Sequence, residues 1–181
     1  MERTYAAVIA THLMSAADAV EILAALARSG VDVRLGGGWC VDALVGRQTR
    51  PHADLDLWLP ALGFEHAVAV FAEIGVDRLY PWGGDRPWNF VLHDGAHRRV
   101  DLHIFEVGRS GSLHYGGFES GTLIPAEALG GTGRIGDREV RCEAPEWSLR
   151  WHTGYPPRPQ DDHDVAVLRD RFGLAVPAEF G

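Results

Sequence analysis

Two aspartates separated by one residue, Asp54 and Asp56, have a spacing suited to binding a metal ion. They lie in the alternating segment Asp54-Leu55-Asp56-Leu57-Trp58-Leu59, where strand periodicity places both carboxylates on one face and the leucines on the other. Such carboxylates are roughly 7 Å apart at the backbone, so their side chains can converge on a hard cation such as Mg²⁺. Asp101, in a later alternating segment, adds a third carboxylate that can complete a metal site or act as a base.

A bare Asp-x-Asp pair is usually a solvated strand face, but the segment before it changes that expectation. The pattern predicts a short strand over 31–35 and a short helix over 39–45, with Gly36-Gly37-Gly38 between them. Glycines at the start of a helix let free backbone N–H groups and the positive end of the helix dipole face an anion. The glycine turn therefore indicates a phosphate site upstream of the aspartates.

The loop between the glycine turn and Asp54 carries basic residues. Arg47 and Arg50 can donate hydrogen bonds to phosphate oxygens. His52 can bind phosphate, cap the loop or serve a structural role. The order of strand, glycine turn, helix, basic loop and acidic strand indicates chemistry on a nucleoside triphosphate.

The composition excludes several classes of protein. The 181 residues are 46% hydrophobic and 23% charged, which suits one globular domain. The chain has 17 basic and 25 acidic side chains, which gives a net charge of −8. Nucleic acid is therefore not an expected partner, and a small cationic substrate is favoured. All 17 basic residues are arginine, so a lysine-dependent phosphate loop and a Schiff-base mechanism are excluded.

The sequence predicts a soluble, cytoplasmic protein with no membrane partner. Its apolar runs are shorter than the roughly 18 residues that a membrane span requires, and residues 1–10 lack the plan of a signal peptide. Cys40 and Cys142 are far apart in the sequence, so we expect two reduced, buried thiols rather than a disulfide framework or a zinc site.

Alternating and helical patterns predict a mixed α+β fold around these residues, a small mixed sheet flanked by helices with further helices at the C-terminus. One domain, 1–181, would have its core over about 31–142 and a helical part over about 143–181. Residues 106–137 are rich in glycine and left without assignment. The other predicted elements are a helix over 15–29, a helix over 65–74, a hairpin of 88–93 and 98–105 around Asp94-Gly95, a strand over 138–142, a helix over 145–152, and a helix capped by Asp161 or Asp162 that ends at Gly173.

Several of these motifs together resemble the small antibiotic nucleotidyltransferases, which have the polymerase-beta-like nucleotidyltransferase fold. The resemblance covers about 31–60, 98–104 and 138–168, and it is greatest to the short lincosamide nucleotidyltransferases, with the aminoglycoside 2″-adenylyltransferases slightly more distant. The residues that carry it are Gly37-Gly38-Trp39, Asp42, Arg50, His52, Asp54, Asp56, Val100-Asp101-Leu102-His103, Val140-Arg141-Cys142, His152-Thr153-Gly154-Tyr155, Asp161 and Asp164.

The resemblance implies Mg²⁺-dependent transfer of a nucleoside monophosphate, usually AMP from ATP, to a hydroxyl of a small, hydroxylated and cationic antibiotic, with release of pyrophosphate. A lincosamide is the first candidate acceptor. Asp54 and Asp56 would be metal ligands, and Asp101 the general base or a third ligand. Gly37 and Gly38 would contact the triphosphate.

Other functions and arrangements remain open at this stage. One alternative is a nucleotidyltransferase of the toxin–antitoxin type that modifies a protein or RNA, and another is a nucleotide-binding protein without catalysis. The chain can be a monomer or a homodimer. Aromatic residues can form a wall for adenine or for an antibiotic ring, although core packing is the commoner role of each. They are Trp82, Trp88, Tyr115, Trp147, Trp151 and Tyr155.

Overall fold

The computed structural model describes residues 13–81, 88–152 and 155–175. Three residues named above, Trp82, Thr153 and Gly154, lie outside these ranges. Over the described ranges the strands form one mixed sheet in the order β3-β4-β5-β2-β1-β9-β8, and β6 and β7 extend it from β5. The strands are β1 (Arg34–Leu35), β2 (Leu55–Pro60), β3 (Arg78–Pro81), β4 (Asn89–His93), β5 (Arg99–Val107), β6 (Leu113–Tyr115), β7 (Leu123–Ile124), β8 (Gly131–Ile135) and β9 (Arg138–Cys142).

Three helices pack on the apolar face of this sheet, and two more follow its last strand along the chain. The α-helices are α1 (Ala16–Arg28), α2 (Gly37–Val45), α3 (Phe64–Glu73), α4 (Pro145–Trp151) and α5 (Pro159–Phe172). Short 3-10 helices span Ala61–Gly63, Phe118–Ser120 and Ala126–Leu129. No helix among the described residues is both long enough and apolar enough to cross a membrane.

Strand alternation creates the two faces of the central sheet. Leu55, Leu57 and Leu59 of β2 are fully buried, and Val100, Leu102 and Ile104 of β5 lie beside them in the core. Apolar side chains of α1, α2 and α3 complete this core. The opposite face of the same strands is therefore left for polar and aromatic side chains, as the sequence predicts.

The helix α1, which the sequence predicts correctly, is capped at its N-terminus by Ser15. The Ser15 hydroxyl accepts a hydrogen bond from the Asp18 backbone N–H at 3.1 Å, and the Asp18 carboxylate accepts one from the Ser15 N–H at 3.2 Å. This reciprocal capping box satisfies N–H groups that the first turn leaves free. The predicted helix over 15–29 is thus confirmed as α1.

The predicted start of the last helix is wrong. The helix α5 begins at Pro159 with Arg158 as its N-cap, and Asp161 is its third residue rather than the cap. Proline suits the first turn because its missing N–H would have no helical partner there. Asp161 instead accepts hydrogen bonds from the backbone N–H and the guanidinium of Arg158 at 2.8–2.9 Å.

One further predicted element is shorter in the structure, and a region without predicted elements contains several. The first strand has only Arg34 and Leu35 of the predicted 31–35. Residues 106–137, which the sequence left unassigned, contain the end of β5, the short strands β6 and β7, and β8. The predicted hairpin is confirmed as antiparallel β4 and β5, and Gly95 in its turn has a φ of +81°.

Candidate active site

The three predicted carboxylates lie on the polar face of two neighbouring strands. The strands β2 and β5 run parallel, and their register places Asp56 directly opposite Asp101. Asp54 immediately precedes β2, and its Oδ2 atom lies 3.9 Å from Arg99 Nη1. The side chains of Asp54, Asp56 and Asp101 are 33%, 27% and 14% exposed, so small ligands can reach all three.

Crowding of these carboxylates separates their pKa values. Burial, and then the charge of Asp56, raises the pKa of Asp54 to about 6. Burial, together with the charges of Asp54 and Asp56, raises the pKa of Asp101 to about 7. Burial also opposes ionisation of Asp56, but a hydrogen bond and the positive charge from His103 hold its pKa below the ordinary value. Asp56 is therefore the carboxylate that stays ionised most readily.

The positive charge of Arg99 balances part of the negative charge of the three aspartates. Across residues 13–81, 88–152 and 155–175, no three His, Cys, Asp or Glu side chains form a ready-made metal site. Arg99 Nε and Nη2 each donate to the Asp101 carboxylate at 2.8 Å. Asp54 and Asp56 still offer the oxygen donors that Mg²⁺ prefers, and a cation between them would relieve their mutual repulsion. This donor set fits Mg²⁺.

The glycine turn is pressed against Asp56. Gly37 has a φ of +57°, and a Cβ atom added there would lie 2.0 Å from Asp56 Oδ2. The Gly36 N–H donates to the Asp56 carbonyl oxygen at 2.9 Å. A Cβ atom on Gly38 would come within 2.3 Å of Arg50 Nη2. Glycine is therefore required where the first turn of α2 meets the acidic strand.

The structure places Arg50 beside this turn and Arg47 in an exposed part of the same loop. The Arg50 guanidinium donates to both carboxylate oxygens of Asp164 in α5, at 2.8 and 2.6 Å. The Asp164 side chain is only 1% exposed. This fork-to-carboxylate pair fixes the basic loop to the C-terminal helix.

His52 lies in a buried hydrogen-bond network. Its Nε2 atom is hydrogen-bonded to the carboxylate of Asp42 in α2, which also accepts from the backbone N–H and hydroxyl of Thr49 at 2.8 and 2.6 Å. The imidazole packs on Trp39, with 4.4 Å between the ring centroids. Of the three roles considered for His52, these contacts favour the structural one.

Sequence reasoning missed the roles of several residues, among them His103 and its neighbours. His103 Nε2 lies 3.2 Å from Asp56 Oδ1, and His103 Nδ1 lies 3.1 Å from the Tyr115 hydroxyl and 3.2 Å from Asn89 Nδ2. Burial opposes a positive charge on His103, but the bond to Asp56 and the Asp56 charge raise the pKa of the imidazole. Strand alternation puts His103 on the same face as Asp101, two residues before it, and its contact with Asp56 depends on the register between the strands.

A buried carboxylate lies on the other side of the glycine turn. Glu143 follows β9 and is 4% exposed, and its Oε1 atom accepts a hydrogen bond from Trp58 Nε1 at 2.7 Å. Burial raises the pKa of Glu143 to about 7, against the lowering effect of the Trp58 bond. A Cβ atom on Gly36 would lie 2.8 Å from Glu143 Oε1. No pattern in the sequence signalled this contact.

Aromatic side chains extend the polar face beyond the carboxylates. The Trp58 ring centroid lies 5.1 Å from that of Tyr115 and 4.7 Å from that of Trp151, and Trp147 lies 5.8 Å from Trp151. The structure therefore brings three of the predicted aromatic residues together around Trp58. A fourth, Trp88, meets Tyr115 edge-on with 5.9 Å between the ring centroids. Tyr155 instead packs against the guanidinium of Arg158.

The fold is that of antibiotic nucleotidyltransferases. The crystal structure of the lincosamide antibiotic adenylyltransferase LnuA with lincomycin bound is similar, with a TM-score of 0.76 and 24% identity over 87% of this chain and 98% of that one. The solution structure of the antibiotic-resistance factor ANT(2″)-Ia is similar, with a TM-score of 0.68 and 23% identity over 87% of this chain and 84% of that one. The predicted α+β nucleotidyltransferase fold is confirmed.

Sequence relatives agree with the fold. The lincosamide resistance protein of Staphylococcus haemolyticus is 27% identical over 135 residues, which are 75% of this chain and 82% of that protein. A 2″-aminoglycoside nucleotidyltransferase of Klebsiella pneumoniae is 48% identical over 40 residues, which are 22% of this chain and 23% of that protein. The sequence profile of the aminoglycoside-2″-adenylyltransferase family matches residues 18–168. The chain therefore belongs to that family of antibiotic nucleotidyltransferases.

Proposed function

We propose that this enzyme transfers AMP from ATP to a hydroxyl of a small, cationic antibiotic, with a lincosamide as the first candidate, in a Mg²⁺-dependent reaction that releases pyrophosphate. The observation that carries the proposal is the grouping of Asp54, Asp56 and Asp101 on one polar face, beside a glycine turn that touches Asp56. We place the reaction in the cytoplasm, where ATP is available.

Asp54 and Asp56 are the proposed ligands of Mg²⁺, with Asp101 as base or third ligand. Bound Mg²⁺ would neutralise the charge that develops on the phosphates and polarise the α-phosphorus. The turn at Gly37 and Gly38 starts α2, and its backbone is the proposed contact for the triphosphate.

The basic loop adds positive charge near that turn. Arg47 is exposed and can extend towards a phosphate. Asp164 holds Arg50 in place. We therefore propose that Arg50 contributes a fixed positive charge and anchors the loop. His52 supports this arrangement through Asp42 rather than by binding phosphate directly.

The chemical step requires a proton acceptor near the acceptor hydroxyl. The hydroxyl oxygen attacks the α-phosphorus, the bond from that phosphorus to the bridging oxygen breaks, and pyrophosphate leaves with the bonding electrons. The hydroxyl proton passes to the Asp101 carboxylate. Burial and the charges of Asp54 and Asp56 raise the pKa of Asp101 to about 7 without metal. A bound cation would lower that pKa and would also make the attacking hydroxyl more acidic, so that a carboxylate can accept its proton. The two bonds from Arg99 fix the orientation of the carboxylate.

The acceptor class is supported by the extent of the relatedness and by the chemistry of the face. The similarity to a lincosamide resistance protein extends over 82% of that protein, whereas the aminoglycoside nucleotidyltransferase matches over 23%. The aromatic group around Trp58, next to three carboxylates, suits an amine that also carries apolar groups. A lincosamide is therefore placed ahead of an aminoglycoside.

The test is mass spectrometry of lincosamides and aminoglycosides after incubation with the protein, Mg²⁺ and each nucleoside triphosphate in turn. We expect one lincosamide to gain one AMP with ATP, and no compound to gain mass with Asp54→Asn. The matched control is Asp162→Asn, because Asp162 is an exposed aspartate in α5, away from β2. ATP and Mg²⁺ binding without mass gain on any compound would refute the antibiotic acceptor and favour a protein or another metabolite.

A further inference from the structure

The contact between His103 and Asp56 belongs to a larger hydrogen-bond network on four strands. The register places Trp58 on β2, His103 on β5 and Asn89 on β4 in one row across the polar face. Tyr115, on β6, reaches the same row through its hydroxyl. The row lies next to the one that holds Asp56 and Asp101.

The partners of His103 determine which of its nitrogens carries a proton. The Tyr115 hydroxyl donates to Asn89 Oδ1 at 2.6 Å, so the other end of the Asn89 amide, the NH₂ group, faces His103 Nδ1 at 3.2 Å. An NH₂ group can only donate, so Nδ1 accepts from Asn89. The Tyr115 oxygen, 3.1 Å from Nδ1, makes no hydrogen bond to it in this arrangement, because the hydroxyl proton is directed at Asn89 Oδ1. A neutral His103 then carries its proton on Nε2 and donates it to Asp56 Oδ1 across 3.2 Å.

Neighbouring side chains hold the imidazole in this orientation. The Trp58 ring packs on His103 with 5.0 Å between centroids, and Glu143 accepts the indole N–H of Trp58 at 2.7 Å. The ring of His103 is thus fixed on one side by packing and at both nitrogens by hydrogen bonds.

One oxygen of Asp56 is held by His103, and the other is limited by the backbone. Asp56 Oδ2 lies 2.0 Å from the position that a Cβ atom on Gly37 would take. With Oδ1 bonded to His103, Oδ2 is directed at the glycine turn where the triphosphate is proposed to bind. The carboxylate has little freedom to rotate.

We propose that His103 is a positioning residue that fixes the Asp56 carboxylate for metal binding, and that Asn89 and Tyr115 keep its donor proton on Nε2. This inference rests on the proposed role of Asp56 as a metal ligand. Residues that orient metal ligands typically contribute 10- to 100-fold to metal affinity.

The first test compares His103→Leu with His103→Gln. Glutamine keeps an N–H donor that can reach Asp56, whereas leucine keeps bulk without a donor. In calorimetric titration with Mg²⁺ in the absence of nucleotide, we expect His103→Leu to lose about 10- to 100-fold in affinity and His103→Gln to retain most of it. The control is His114→Gln, because His114 on β6 lies 3.0 Å from Ser112 and away from Asp54, Asp56 and Asp101. Equal affinities for wild type and His103→Leu, with both folded by circular dichroism, would overturn the proposal.

The second test reads the proton on His103 directly, in protein without metal or nucleotide. Nitrogen-15 spectra at alkaline pH, where the imidazole is neutral, should show Nε2 protonated and Nδ1 bare. Asn89→Asp replaces the donor at Nδ1 with an acceptor of the same shape, so we expect Nδ1 to become protonated. A wild-type protein with the proton on Nδ1, or an unchanged Nδ1 in Asn89→Asp, would refute the assignment. These spectra do not depend on turnover, so they remain decisive if the proposed transfer reaction fails.

Discussion

Gly37→Ala tests whether the glycine turn exists to admit the Asp56 carboxylate. Gly37 has a φ of +57°, and its added Cβ atom would lie 2.0 Å from Asp56 Oδ2 and 2.7 Å from Asp56 Cγ. Gly46, at the other end of α2, has a φ of +76° and no atom within 4 Å of an added Cβ. The two glycines share a positive φ, which would strain any other residue, and they differ in the contact with Asp56.

The expected magnitudes follow from that difference. A non-glycine residue in the left-handed region costs about 1–2 kcal/mol, so Gly46→Ala should lower Tm by roughly 2–8 °C and leave turnover unchanged. Real Cβ atoms essentially never approach within 3.0 Å of another heavy atom, so in Gly37→Ala the carboxylate oxygen must move by about 1 Å. A displacement of that size in a catalytic site can cost about 10²-fold in rate.

Thermal unfolding and initial rates of pyrophosphate release, measured on wild type and both variants, distinguish the two effects. We expect a larger loss of Tm in Gly37→Ala than in Gly46→Ala, because the clash with Asp56 adds to the backbone strain, and a loss of turnover of about 10²-fold in Gly37→Ala alone. If Gly37→Ala turns over as fast as Gly46→Ala while folded, the close packing of the turn on Asp56 has no catalytic purpose.

The remaining predictions concern three side chains. Asp101→Asn should keep ATP and Mg²⁺ affinities within a few-fold but lose about 10²- to 10⁴-fold in transfer rate because the base is gone; calorimetry and initial rates check this, and retained turnover would remove the assignment. Arg50→Leu should lower the free energy of unfolding by about 1–3 kcal/mol in urea denaturation, because Asp164 is only 1% exposed and would keep only His152, 3.3 Å from its Oδ2 atom, as a charged partner. A smaller loss in the double variant with Asp164→Leu than in Arg50→Leu would support this cause. The pKa of Glu143 is raised from 4.5 to about 7 in the folded protein, so folding takes up a proton between those pH values. The Tm of wild type should therefore fall relative to that of Glu143→Gln as pH rises from 4.5 to about 7. A Tm difference between the two proteins that stays constant with pH would contradict this expectation.

Local patterns predicted the parts of the fold that depend on local forces. The face shared by Asp54 and Asp56 follows from strand alternation, and α1 follows from the cap at Ser15. The short strands β6 and β7 contain three and two residues, and they are stabilised by their partners rather than by any periodicity of their own. Their sequence therefore gave no signal.

The prediction of the site was limited in the same way, because local patterns do not signal contacts between strands. The triad of aspartates could be proposed because each lies in an alternating segment, but the contacts of Arg99 with Asp54 and of His103 with Asp56 depend on how β2 and β5 align. Residues 55–60 pair in parallel with residues 100–105, and a shift of one position would have turned His103 away from Asp56. Glu143 meets Trp58 from across the sheet, 85 positions later.

Asp54 and Asp56 are alike in the sequence, yet the structure constrains them to different degrees. Asp56 lies within β2, its carbonyl oxygen accepts the Gly36 N–H at 2.9 Å, and His103 lies 3.2 Å from its carboxylate. Asp54 precedes the strand, is more exposed, and has Arg99 3.9 Å away. A cation held between the two would take its position from Asp56, and Asp54 would adjust to it. In the proposed role of Asp56 as a metal ligand, its contacts with the glycine turn and His103 would hold the carboxylate in place before the substrate arrives. A carboxylate that had to reorient at the moment of reaction would add to the barrier.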